Sequence, residues 1–143
     1  MSGNESNTTV TATLILEEQR LDFIGNHFGA TYPLLIEPTI YSTAEKLTNG
    51  QYHGGYWLMY QLSNGGFYTA PDDDRRFQLS CENYWSGELS ADALGITVCL
   101  YAFSRLSYAK NVVFGKLCAE NYYWLRDYVY EHPEAAAILG ATD

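Results

Sequence analysis

Few side chains in this sequence can do chemistry, and they are scattered. The candidates are three histidines, His27, His53 and His132, and three cysteines, Cys81, Cys99 and Cys118. A zinc site would place two of them at a short fixed spacing, C-x-x-C or two His four apart on a helix, and none of the six has such a neighbour. Neither a Gly-x-Ser-x-Gly elbow nor a P-loop is present. Gly54-Gly55 and Gly65-Gly66 precede no helix, so they read as turn glycines rather than a phosphate cradle. A Cys–His nucleophile pair can be drawn from Cys81 and His53 if a sheet brings them together, which would make the chain a small hydrolase or transferase. Glu82 follows Cys81, however, and a neighbouring carboxylate disfavours a thiolate. His132 directly before Pro133 reads as a helix stop or cap, and His53 before Gly54-Gly55 as the residue that orients a turn. Cys99 and Cys118 sit in apolar helical runs as small core residues, and three cysteines without C-x-x-C fit reduced thiols. No catalytic, metal-binding or cofactor-binding residue is assigned.

Charge restricts the partners. The formal net charge is −9. A globule of this size exposes roughly 7,000 Å², about one net charge per 800 Å². Duplex DNA carries on the order of one charge per 100 Å² of its cylinder. The mean density is several-fold too low to copy DNA, and the densest acidic run, Asp72-Asp73-Asp74, is followed at once by Arg75-Arg76. The same charge repels phosphate, so direct nucleic-acid binding is not expected. Residues 1–9 are polar, with no basic stretch and no apolar core, so no signal peptide is expected. No run approaches 18 apolar residues, so no membrane partner is expected and a cytoplasmic location is.

The elements that must position these side chains are organised around residues 56–71. Residues 56–62 alternate as a strand, 63–66 turn, 67–70 return, and Pro71 ends the ladder because it has no N–H to donate. Asn64-Gly65 suggests a type I′ turn, with positive φ at both residues. Tyr56, Leu58, Tyr60 and Leu62 share one face; Trp57, Met59 and Gln61 share the other. Both faces are largely apolar, so the hairpin should be covered on both sides. The more uniformly apolar set, Tyr56, Leu58, Tyr60 and Leu62, is expected against the helices, with Trp57, Met59 and Gln61 nearer the other surface.

Elsewhere, residues 1–9 read as a disordered tail and 10–143 as one domain. Residues 10–16 read as an edge strand and 17–24 as a helical turn broken at Gly25-Asn26. Residues 39–47 read as a helix. Residues 76–81 and 84–89 read as further strands, and with the hairpin they suggest an antiparallel meander of about four strands. Ser90 caps a long helix to about residue 108, whose wide apolar arc marks it as mostly buried. A second long helix covers 112–131. A short one covers 134–139, opened by Pro133 and ended by Gly140. The fold class is α+β.

Three segments carry a family resemblance. Gly54-Gly55-Tyr56-Trp57, then Leu62-Ser63-Asn64-Gly65-Gly66-Phe67-Tyr68, then Ala70-Pro71, resembles the signature of the ArdB/KlcA-type antirestriction proteins. Residues 87–96, Gly87 to Ile96, resemble that family's second block. Leu125-Arg126-Asp127-Tyr128 through His132-Pro133-Glu134 to Ile138 resembles its C-terminal block. Arg20 to Phe23 with His27-Phe28-Gly29 is a weaker match. The resemblance implies a non-catalytic protein that alleviates type I restriction–modification, protects incoming plasmid or mobile-element DNA, and needs no cofactor. Its implied partner is the type I system, with direct contact left open. Tyr56, Trp57, Ser63, Asn64, Gly65, Gly66 and Tyr68 are the candidate signature residues, for interaction or for structure. The aromatic load here exceeds what a one-sided core needs, and Trp and Tyr commonly anchor interfaces. Beside this stand the hydrolase or transferase reading above and a compact peptide-binding module.

Overall fold

The computed structural model describes residues 9–52 and 54–143. Residues 1–8 of the expected tail, and His53, lie outside the described residues. The elements in chain order are β1 (Ala12–Leu14), α1 (Arg20–His27), a π-helical turn (Tyr32–Ile36), α2 (Glu37–Leu47), β2 (Trp57–Leu62), β3 (Phe67–Pro71), β4 (Arg76–Ser80), β5 (Ser86–Ser90), α3 (Ala91–Leu106), α4 (Val112–Val129) and α5 (Ala135–Thr142). The class is α+β, as the sequence pattern predicts.

Strand pairing departs from a single meander. β1, β2 and β3 form one antiparallel sheet in that order, while β4 and β5 form a separate hairpin. The reason lies beside β3. There α3 takes the place a fourth strand would fill: the Cys99 thiol approaches the Thr69 carbonyl at 3.6 Å. Pro71 then ends β3, and Asp73 fixes the following turn by accepting from the Arg75 amide at 2.7 Å. On β4 the Gln78 amide donates to the side chain of Gln51 at 3.0 Å instead of to a strand.

The three-stranded sheet is covered on both faces. On one face Tyr68 stacks on Tyr60 of β2 and on Tyr128 of α4, and Ala70 meets α3 at Gly95. On the other, Phe67 packs against Phe23, Phe28 and Tyr32, and Trp57 packs against Tyr41 and Tyr52. The set of Leu58 and Tyr60 thus faces the C-terminal helices as expected. The companion expectation fails: Trp57 and Met59 are buried, 3% and 6% exposed, as deeply as Leu62 of the first set at 4%, while Tyr56 is 48% exposed. The N-terminal helices cover the second face, so it is core as well.

Several boundaries follow from tertiary packing rather than propensity. α1 continues through Gly25-Asn26 to His27. The roughly 1 kcal/mol cost of a helical glycine is offset where Phe23 and Phe28 bury against Phe67. Pro38 has no N–H for an i−4 bond, and just before it the ladder widens: the Glu37 amide donates to the Tyr32 carbonyl, five residues back. α3 and α4 run nearly as read, capped by the side chains of Ser90 and Asn111. Gly140 does not end α5. The helix runs on to Thr142, and Gly140 is where Trp85 lies across it, leaving a Cβ only 2.7 Å from the indole nitrogen.

The hairpin loop also differs in type. Gly65 has φ +104°, but Asn64 is not in the positive-φ region, so the turn is not type I′. The Gly65 amide donates to Leu62 O at 3.0 Å and the Leu62 amide to Gly66 O at 2.9 Å. This is a three-residue loop closed by a glycine at positive φ, the next commonest way to join two strands. Asn64 fastens it to α4. Its amide donates to Trp124 O at 2.9 Å, and its Oδ1 accepts from the Gly66 amide at 3.0 Å. Asn64→Ala removes both bonds and leaves a part-buried carbonyl short of a donor. A loss of about 1–2 kcal/mol is expected, read as a lower midpoint in urea unfolding at unchanged slope.

Candidate functional site

Three segments far apart in sequence meet on one carboxylate. Tyr68, in the middle of β3, is 1% exposed, and its hydroxyl donates to Asp92 Oδ1 at 2.9 Å. Asp92 lies in the first turn of α3, where a negative charge suits the helix dipole. His132, in the turn between α4 and α5, places Nε2 2.8 Å from Asp92 Oδ2. Its other nitrogen, Nδ1, accepts from the Glu134 amide at 3.0 Å. An amide can only donate, so Nδ1 is the bare nitrogen and Nε2 carries the hydrogen that Asp92 receives.

The network continues through Glu134. Its Oε1 accepts from the Ser90 amide at 3.0 Å and its Oε2 from the Ser90 hydroxyl. Ser90 Oγ in turn accepts from the Ala93 amide at 3.2 Å, capping α3. Arg76 on β4 reaches Glu134 Oε1 at 3.5 Å and Glu88 Oε1 at 2.9 Å. Burial opposes charge on Glu134, yet the two Ser90 bonds, with Arg76 and His132, hold its carboxyl below the usual glutamate range. Burial, then the charge of Asp92, pushes the hydroxyls of Tyr68 and Tyr60 upward; Tyr128 follows the same order.

A carboxyl held low stabilises the fold above its unfolded value, about 4.3 for glutamate, and that contribution is lost as pH falls toward its folded value. Glu134→Gln should therefore melt below the parent at neutral pH, and the gap should narrow as pH drops below about 4.3. Paired thermal melts across that window check this. A gap constant with pH would mean that the charge contributes nothing.

The arrangement is closed on itself. His132 is 6% exposed in its side chain and both its ring nitrogens are engaged within the chain, leaving neither free to take a substrate proton. Ser90 Oγ serves a carboxylate and an amide rather than an imidazole. Asp92, at 39%, is the exposed member. The cysteines are no better placed as nucleophiles. Burial pushes the thiols of Cys99 to about 12 and Cys118 to about 11. Burial also raises Cys81, with a bond to the Tyr101 hydroxyl working the other way. Its imagined partner His53 is outside the described residues. Among the described residues no three His, Cys, Asp or Glu side chains group as a metal site, and no helix is long and apolar enough to cross a membrane.

Of the seven signature residues, Trp57, Gly66 and Tyr68 are buried, Asn64 is half-buried, and Tyr56, Ser63 and Gly65 are exposed. Trp57 is buried, with its indole N–H on the Tyr52 hydroxyl. Gly66 lies under Trp124, where a Cβ would come to 2.7 Å, and Gly65 stands beside the Trp124 ring. Asn64 and Tyr68 hold the hairpin to α4 and α3. Ser63 is exposed, and its Oγ and amide pair with Thr11 at 2.9 Å each, tying the N-terminal strand to the hairpin. Tyr56 is the large outward side chain; its hydroxyl donates to Glu17 at 2.6 Å and Arg20 sits 4.8 Å over its ring. Composition and periodicity single out neither Asp92 nor His132 as a partner of Tyr68. The signal available was that the three resembling segments contain one member each.

Comparison with known proteins places the chain in a family. Residues 50–143 match the antirestriction protein family, a span holding the hairpin, Asp92 and His132. The chain is 39% identical over 142 residues to an antirestriction protein KlcA of Escherichia coli, covering 98% of this chain and 99% of the relative. It is 40% identical over 144 residues to the uncharacterised YafX of Escherichia coli K12, covering 98% and 92%. Among solved structures it matches one from work on the KlcA and ArdB proteins with TM-score 0.86 and 40% identity, over 95% of this chain and 96% of that one. Those proteins are described as having a novel fold and antirestriction activity against type I DNA restriction systems in vivo but not in vitro.

Proposed function

Because this chain belongs to the antirestriction protein family, we propose that it alleviates type I restriction inside the cell, protecting incoming plasmid or mobile-element DNA without catalysing a reaction. The observation that carries this reading is a likeness along nearly the whole chain, in sequence and fold, to proteins with type I antirestriction activity. The closed Tyr68–Asp92–His132 network supports a non-catalytic role, since the most enzyme-like constellation among the described residues has its proton acceptors already engaged.

Charge copying is not the means. Of the acidic run, Asp73 is held by a two-pronged bond to Arg75 at 2.8 and 3.0 Å, so the densest carboxylates lie beside a fixed cation. The signature hairpin acts first as scaffold, with Tyr56 as the member able to meet a partner. Activity seen in vivo but not in vitro in the relatives supports action in the cytoplasm through a component that a purified restriction enzyme lacks.

Plating of unmodified phage on a type I restricting host tests this. Expression should raise plating efficiency toward that of modified phage and leave a type II host nearly unchanged. Replacing Asp72, Asp73 and Asp74 together with Asn should keep most of the effect. Unchanged plating across several type I families would overturn the reading, and loss of protection in the folded triple variant would restore electrostatic mimicry.

A further inference from the structure

On the side of α3 turned to solvent, between α2 and α4, three cavities of about 430, 80 and 210 Å³ share one lining residue, Ser104. They form one groove along the C-terminal half of α3. Its lining differs from the rest of this acidic chain. Lys46 and Arg105 line its largest part, and the one carboxylate there, Glu82, is already paired with Lys46 at 2.9 Å. Among the described residues no carboxylate comes within ion-pair distance of Arg105. The far end is aromatic: Tyr108 and Tyr123 are 86% and 66% exposed. In sequence Lys110 lies two residues after Tyr108 and Lys116 three before the lining residue Ala119, with Glu120 directly after Ala119.

We propose that this groove binds an acidic segment of a partner protein that carries aromatic or apolar side chains between its carboxylates. Charge complementarity points there. The groove lining carries Lys46 and Arg105 against Glu82, one net positive charge in a chain of net charge −9, so an acidic segment is favoured here over the acidic surface at large. The Lys46–Glu82 pair is exposed on both sides, 65% and 71%, and such pairs hold weakly, so an incoming carboxylate can replace Glu82 on Lys46. Arg105 offers a planar fork suited to a second carboxylate. Tyr108 and Tyr123 supply rigid aromatic faces of the kind that anchor protein contacts. Single-stranded nucleic acid uses similar chemistry, but its evenly spaced phosphates leave no neutral stretch between charges, so more of them would meet the net negative charge of the chain than the carboxylates of a mixed acidic segment.

The test is fluorescence anisotropy with labelled poly(Glu,Tyr) copolymer and, in a parallel arm, labelled oligo(dT), each against purified protein. It reads binding apart from restriction, so it can fail without touching the antirestriction reading. The copolymer should bind at low salt and weaken as salt rises. Arg105→Glu should weaken it roughly fivefold, while Arg75→Glu, the same charge change on an exposed cation outside the groove, should stay within about twofold. No binding, or equal loss in both variants, would overturn the proposal. Oligo(dT) binding more tightly than the copolymer would overturn it in favour of a nucleic-acid groove.

Discussion

Gly95→Ala should destabilise the protein by about 2 kcal/mol or more, although alanine is the better helix former. The substitution removes a helical glycine, which alone would contribute about 1 kcal/mol of stability. Against this stands the seat of α3 on β3. A Cβ at residue 95 would sit 2.3 Å from Ala70 Cβ, 2.4 Å from Thr69 O and 2.5 Å from Ala70 Cα. Two of those three atoms belong to the backbone of a buried strand, so no side-chain rotation relieves the contact and α3 must lift. Overpacking typically costs about 1–3 kcal/mol, and contacts this short against a strand's backbone fall at the top of that range or above it, so it wins over propensity. The expected drop in melting temperature is about 6–10 °C for a domain of this size. A melting temperature at or above the parent's would mean that α3 does not sit this close.

Trp57→Ala should cost about 3–5 kcal/mol, a large part of the 5–15 kcal/mol that holds an ordinary domain together. The side chain is 3% exposed, meets Tyr52 edge-on and Tyr41 at a tilt, each with ring centroids 5.3 Å apart, and gives its N–H to the Tyr52 hydroxyl. Its truncation leaves a cavity and an unpaired phenol. Tyr56→Ala, one residue earlier and 48% exposed, should cost under about 1 kcal/mol. Urea melts of the two variants would show the order directly. Near-equal midpoints would contradict the burial assigned to Trp57.

That order reverses the one drawn from alternation, and the reason is physical. Period-two patterning reports a side when one face of a strand meets water. Here α3 and α4 cover Tyr68 and Ala70 while the N-terminal helices cover Phe67 and Trp57, so both faces are apolar and the pattern carries no direction. The long helices were legible because α3 is apolar almost all round and begins at a side-chain cap, a local signal at Ser90. The split into two sheets was not legible, since it depends on α3 lying beside Thr69, thirty residues away from Cys99. The site was the least legible part. Tyr68, Asp92 and His132 are separated by 24 and 40 residues, and each has an ordinary local role in strand, first turn or helix stop. Only their occurrence in three segments resembling one family hinted that they belong together.

On the function proposed above, these segments build a scaffold for a non-catalytic antirestriction protein. Phage protection against a type I host, measured beside thermal melting for Tyr68→Phe, Asp92→Asn and His132→Gln, tests that reading. Protection should fall in step with the folded fraction, with the most destabilised variant the least protective. A variant that melts with the parent yet no longer protects would contradict that reading and give the Tyr68–Asp92–His132 network a part in activity beyond the fold.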